Sequence, residues 1–351
     1  MEIIIKTPLG LEKIVASRVK ELEPNAVLTV KPHGYEGLVI VEKCPDKQLL
    51  KSRIEYEIPE AEKIIPVEAT VEASLDTIAK ASAEIARSKI LSNETFAVRT
   101  IRRGKHGFTS VDVNRIAGAE VVKATEAPVN LDFPDKIVQV EIIQDKAALS
   151  ILDGRVEWRK MGMNKRSSLS LFNRISIVQM PYLGSLEGAR ELGARIGRAV
   201  QAYEVKELVI APNKPVNAIE LATFINGVRE GIESRYAIQR RSYARKVEKT
   251  PVIVQDLYQL VRERREEPIV VFEPEGEALE QALERLSNLF KQQRRVNFLL
   301  GSREGIPKGV YRIAHLVIDL SPDITLPTEL AAPVALASVY TALALKNNVE
   351  E

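Results

Sequence analysis

Two apolar runs near the C-terminus each empty into a loop whose residue types suit the holding of a small polar ligand. Val296-Asn297-Phe298-Leu299-Leu300 leads into Gly301-Ser302-Arg303-Glu304-Gly305-Ile306-Pro307-Lys308-Gly309, and Leu316-Val317-Ile318-Asp319-Leu320 into Ser321-Pro322-Asp323-Ile324-Thr325. Buried strands that end on Gly/Pro loops let backbone groups approach a ligand closely, because glycine puts no Cβ in the way. Glu304 and, further on, Glu329 add carboxylates that can move a proton. Two ordinary turns of an α/β domain would have the same spacing. A second chemistry is offered by residues 96–110, where an alternating strand pattern runs into Arg99, Arg102, Arg103, Lys105, His106 and Phe108, interrupted by Gly104 and Gly107. Clustered cations beside glycine can neutralise phosphates, and an aromatic ring can stack on an unpaired base. A solvated basic loop shares that composition.

Repeated strand and helix patterns must position both groups. Residues 1–66 read as strand, helix, strand, strand and helix, with Ile3-Ile4-Ile5 first and an amphipathic stretch over 10–22. Residues 67–152 form a second unit: a helix over 75–88, the basic strand and loop, a helix over 112–125 and a strand over 136–143. Residues 153–173 are polar and basic, with Arg155, Arg159, Lys160, Lys165 and Arg166 around the lone Trp158, and read as a connector. From residue 174 strands alternate with helices, which predicts parallel pairing and a sheet covered on both faces. The helices include 185–203, 216–232 and 276–290. A further basic and aromatic run holds Arg235, Tyr236, Arg240, Arg241, Tyr243, Arg245 and Lys246. The Ala-rich segment 330–345 is uncharged but short for a bilayer span and contains Pro333, so it reads as a buried helix, suited to a subunit interface.

Bulk properties narrow the chemistry. The chain has 351 residues, enough for two or three domains, and a formal charge of +2, so any nucleic-acid site must come from local clustering. Cys44 is the only cysteine, which excludes an internal disulfide and a cysteine zinc cluster. Walker A, strand-linked G-x-G-x-x-G and metal-ligand patterns are absent, and no metal is expected. The start, MEIIIKTPLG, lacks the basic and long apolar regions of a signal peptide, so a cytoplasmic protein is expected.

Leu-Gly-Ser-Arg-Glu-Gly-Ile-Pro-Lys-Gly, then Leu-Ser-Pro-Asp-Ile-Thr, then Thr-Glu-x-Ala-x-Pro resemble the cofactor-binding region of SPOUT RNA methyltransferases. Phe-x-Val-Arg-x-x-Arg-Arg-Gly-x-His-x-Phe-x-Ser, followed by Gly118 and Val129-Asn130-Leu131-x-x-Pro134-Asp135, resembles a THUMP domain, an RNA-binding module of tRNA-modifying enzymes. The two resemblances imply a multidomain α/β and α+β protein: a ferredoxin-like domain (1–66), a THUMP domain (67–152), a basic linker (153–173) and a SPOUT domain with a trefoil knot (174–351). They imply S-adenosylmethionine as cofactor, held by Leu300, Gly301, Ser302, Arg303, Gly305, Leu320, Pro322, Thr325 and Pro333. Arg99, Arg102, Arg103, Lys105, His106 and Phe108, with Arg166, Arg240 and Arg241, become the expected RNA contacts. Gly193-Ala194-Arg195-Ile196-Gly197-Arg198 resembles the first SPOUT motif and points to Arg198 as the catalytic arginine, although Pro181-Tyr182-Leu183-Gly184 stands where many ribose methyltransferases carry an Asn-Gly pair. The implied activity is methylation of a tRNA ribose 2′-hydroxyl in or near the acceptor stem, at the sixth nucleotide, by a homodimer whose THUMP half grips the 3′ end. Base methylation using Glu304 and Glu329, or a tRNA-binding dimer without catalysis, are the alternatives.

Overall fold

The computed structural model describes residues 1–162, 165–243 and 245–349. They form two compact units, Met1–Lys165 and Arg166–Glu351.

The first unit opens with β1 (Ile3–Lys6), α1 (Glu12–Leu22), β2 (Val27–Val30), β3 (Leu38–Lys43), α2 (Lys47–Glu57) and β4 (Lys63–Pro66). Its sheet is antiparallel in the order β2-β3-β1-β4. Then come β5 (Ala69–Glu72), α3 (Leu75–Arg87), β6 (Phe96–Arg103), α4 (Ser110–Thr125), β7 (Lys136–Ile143) and β8 (Lys146–Asp153), with the sheet order β5-β8-β7-β6. Of these pairs only β6 and β7 run parallel. The unbroken isoleucine run in β1 follows from burial on both faces: Ile3 and Ile5 pack with Val15, Val19 and Ile54 of the helices, whereas Ile4 joins Ile65, Ile137 and Leu152 between the two sheets.

Polar groups also enter that shared layer, and they are matched. Glu141 is fully buried and accepts from Lys6 Nζ at 2.5 Å and Arg103 Nη1 at 2.8 Å. Gln139 bridges Glu141 and Lys63 Nζ at 2.7 Å each. Burial holds the Lys63 ammonium below its usual pKa. A carboxylate in such a layer is tolerable only with its cations in place.

The second unit contains α5 (Leu169–Phe172), β9 (Ile175–Gln179), α6 (Leu186–Tyr203), β10 (Glu207–Ile210), α7 (Ala218–Ser242), β11 (Val252–Val254), α8 (Leu257–Glu263), β12 (Ile269–Ala278), α9 (Leu279–Gln292), β13 (Val296–Leu300), α10 (Lys308–Tyr311), β14 (Leu316–Asp319) and α11 (Thr328–Val349). Six parallel strands lie in the order β11-β10-β9-β13-β12-β14. Residues of α6, α7, α9 and α11 pack one face and those of α8 and α10 the other, which is why β9 and β13 are buried throughout.

α6 and α7 meet through glycines. A Cβ on Gly197 would lie 2.1 Å from Val228 O, and one on Gly231 2.0 Å from Ala194 O. At the N-terminal ends of the strands Arg264 Nη1 donates to Ser176, Glu207 and Asn297 at 2.8–2.9 Å. That buried network knits strand ends together and lies away from the loops that follow the strands.

Three sequence expectations change. α7 continues to Ser242, so Arg240 and Arg241 stand on a helix rather than beyond one ending at 232. β12 runs past Phe272: both Phe272 and Glu277 pair with Ile318, so residues 273–276 bulge out of the sheet. Gly276, expected to begin a helix, instead lies so close to β14 that a Cβ would sit 2.6 Å from Ile318 N. α11 is not buried all round. Ala332, Ala335, Leu336, Val339 and Leu343 join the core, whereas Leu330 and Leu345 are exposed. By length and composition Thr328–Lys346 could cross a membrane, but its inner stripe forms part of the sheet's core.

Candidate active site and nucleic-acid interface

The loops after β13 and β14 and the bulge in β12 meet at the C-terminal side of the sheet and enclose a cleft of about 350 Å³. Gly301, Ser302, Arg303, Glu304, Gly305, Leu320 and Thr325 line it, together with Glu273, Glu275, Lys308, Tyr311 and Asp319. Of the residues expected to hold a cofactor, Leu300, Pro322 and Pro333 are not among those lining the cleft. Leu300 ends β13 with its side chain in the core, because that strand is buried on both faces. Pro322 is exposed on its loop, and Pro333 lies inside α11, where its carbonyl accepts from Tyr203 Oη at 3.3 Å.

Glu273 is the residue the sequence reading missed. Its Oε1 accepts from Ile306 N–H at 2.6 Å and so fixes the 301–306 loop. The loop can close on it only because of its glycines: a Cβ on Gly301 would meet Glu273 Oε1 at 2.4 Å and Gly305 Cα at 2.8 Å, and Gly305 has φ +67°. Burial raises the Glu273 pKa, the bond from Ile306 working against it. Beside it Glu275 pairs with Lys308, which holds its pKa down, and accepts from Tyr311 Oη at 3.2 Å. Burial, with the nearby Glu273 carboxylate, pushes the Tyr311 phenol up to about 12. The available signal was Phe272-Glu273-Pro274-Glu275-Gly276 itself, an apolar strand ending on a Pro/Gly loop like the two already singled out. Gln179, buried at the end of β9, donates to Gly301 O at 2.8 Å, and its Oε1 has no partner among the described residues.

The expected catalytic residues are not gathered at one point. Glu304 lines the cleft and is paired with Lys214 at 2.6 Å. Glu329 accepts from Arg195 Nη1 at 3.0 Å. Arg198 is exposed on α6, reaches Ser234 Oγ of α7 at 3.4 Å, and does not line the cleft of its own chain.

In the first unit the basic strand β6 and its following loop divide by role. Arg103 is taken by buried Glu141, and Arg99 binds Glu157 at 3.1 Å and Leu131 O at 2.6 Å. Gly104, at φ +118°, turns the chain so that His106 Nε2 meets Gln144 O at 2.6 Å while its Nδ1 lies 3.3 Å from Arg102 Nη1. Phe108 lies against His106 in a tilted contact, with ring centroids 5.3 Å apart. Lys105 is exposed. Arg166 is exposed in the second unit, as are Arg240 and Arg241 in the last turn of α7.

Among the described residues no group of three or more His, Cys, Asp or Glu side chains could hold a metal ion.

Comparison with known proteins agrees with this division. Residues 72–152 match the THUMP domain, and residues 169–351 match the family described as AF2226-like SPOUT RNA Methylase fused to THUMP. The uncharacterised protein MJ0421 of Methanocaldococcus jannaschii is 41% identical over 100% of this chain and 97% of its own length. A tRNA (guanine(6)-N2)-methyltransferase of the same organism is 44% identical over 68 residues, 18% of each chain. The crystal structure of PH1313 from Pyrococcus horikoshii aligns over 98% of this chain and 100% of its own at 17% identity, with a TM-score of 0.38, too slight a likeness to build on. With a family match over residues 169–351, more than half of the chain, and a full-length relative, this chain belongs to the SPOUT RNA methylases fused to THUMP, S-adenosylmethionine-dependent enzymes that methylate RNA.

Proposed function

We propose that the protein methylates a ribose 2′-hydroxyl of tRNA in or near the acceptor stem, at the sixth nucleotide, while its first unit holds the unpaired 3′ end. The observation that carries this reading is one chain joining a THUMP fold to a glycine-floored cleft at the ends of β12, β13 and β14. A relative matched over 18% of each chain and named as a tRNA (guanine(6)-N2)-methyltransferase supports the sixth nucleotide, while the N2 of its name is a base atom and favours the second reading given below.

S-adenosylmethionine supplies a methyl group carried on a sulfonium. The residues present fit it. Gly301 and Gly305 let the loop fold tightly against Glu273, which leaves its backbone along the cleft wall. Glu273, Glu275 and Asp319 give the cleft an acidic wall suited to a cationic ligand. Gly301, Ser302, Arg303, Gly305, Leu320 and Thr325 would hold the cofactor.

Arg198 would stabilise the alkoxide that develops on the ribose oxygen, since a guanidinium stays charged and cannot serve as an ordinary base. Because Arg198 stands outside the cleft of its own chain, this role requires a second copy to present it. The exposed Leu330 and Leu345 of α11 support a homodimer formed there. We also read the last three loops as a trefoil knot, supported by the insertion of β13 between β9 and β12 late in the chain. The βαββαβ order and antiparallel pairing of the first sheet support the ferredoxin-like reading. Base methylation is the second reading, favoured by Glu304 in the cleft wall.

A tRNA transcript carrying 2′-deoxyribose at the target nucleotide separates the two. Loss of methyl acceptance is the result expected; undiminished methylation would assign the reaction to a base.

A further inference from the structure

Trp158, the chain's only tryptophan, is 99% exposed, yet the backbone on either side of it is held. Glu157 accepts from Arg99 Nε at 3.1 Å and also pairs with Arg159, whose guanidinium lies 5.8 Å from the centre of the Phe133 ring. Burial opposes ionisation of Glu157, but the two guanidinium groups together hold its pKa below the ordinary value. Upstream, Gly154 N–H donates to Asp135 O at 2.8 Å, and the approach is so close that a Cβ on Gly154 would fall 1.7 Å from Pro134 O. The segment is therefore clamped to the loop before β7 and to β6, and the indole is presented from a fixed base.

An indole left in water on a fixed segment exposes a large apolar face that a partner can cover at small cost in conformational entropy. The charge around the ring selects the partner. Between residues 153 and 165 four cations stand against two carboxylates, so the segment carries an excess of positive charge. A flat ring beside cations suits a base with a free π-face and a phosphate next to it, which a paired helix does not offer. We propose that Trp158 is a stacking platform for an unpaired nucleotide at the 3′ end of the substrate tRNA, outside the residues that match the THUMP domain. The proposal rests on the reading of the protein as a tRNA methyltransferase and adds a residue that sets where the RNA end is held.

Because there is one tryptophan, its emission in the full-length protein reports on this position alone. Unmodified tRNA should quench it, and the same tRNA lacking its unpaired 3′ nucleotides should not. Trp158→Ala should weaken tRNA binding roughly 5- to 150-fold, with Trp158→Phe recovering most of it. Emission already blue-shifted in the free protein would mean that another part of the protein or a second copy covers the ring, and would overturn the proposal. Equal quenching by both RNAs, or unchanged affinity of Trp158→Ala, would overturn it too, while tRNA methylation by the same samples leaves the parent reading standing. Absence of any tRNA binding by the unsubstituted protein would sink both.

Discussion

Glu273 shows how one side chain can shape the cleft and sense its charge. Burial raises the pKa of its carboxyl above the usual value, with the bond from Ile306 N–H opposing. In the window between the ordinary and the raised pKa the unfolded chain has already lost this proton, so the group's contribution to stability falls as pH rises through that window. Binding of a cation favours the ionised form, and affinity for S-adenosylmethionine should therefore increase with pH over the same window, by about fivefold for one partly screened charge. Calorimetric titration of the protein and of Glu273→Gln checks this: the variant should give a flat profile, and an unchanged slope would remove Glu273 from the account. The glycines of the 301–305 loop were legible in the sequence because glycine has few reasons to recur beside a strand end. The place of Arg103 was not, because the carboxylate that captures it, Glu141, lies 38 residues away and its burial depends on two sheets meeting.

At the scale of elements, the seam between α6 and α7 sets the geometry on which Arg198 sits. Gly193 and Gly197 face Phe224 and Val228, and Gly227 and Gly231 face Arg190 and Ala194, each without room for a Cβ. Gly197→Ala should destabilise the protein by about 1–3 kcal/mol through forced separation of the helices. Urea unfolding followed by circular dichroism measures it, and a loss within error of zero would show that the seam has slack. The alternation of strands and helices in the second unit was readable because parallel strands buried on both faces leave mostly apolar runs, as in 175–178 and 296–300, each broken by a single polar residue. The bulge in β12 was not. Pro274 and Gly276 look like the end of a strand, and only the repeated pairing of β12 with Ile318 shows that the strand resumes.

For the whole molecule, the proposed homodimer rests on α11. The composition of 330–345 was legible as apolar, but which side would face the core depended on how α11 lies against α6 and α9. Leu345, 63% exposed, stands on the outer side. Leu345→Glu should shift a dimer to monomer in sedimentation velocity and lower methyl transfer by at least tenfold if Arg198 acts across copies. A monomeric, fully active unsubstituted protein would contradict that arrangement. The central claim itself is reached most directly by transferring a labelled methyl from S-adenosylmethionine to unmodified tRNA and analysing the nucleosides. The account predicts a 2′-O-methylated nucleoside from the acceptor-stem region. Label found solely in a methylated base, with the ribose untouched, would contradict it.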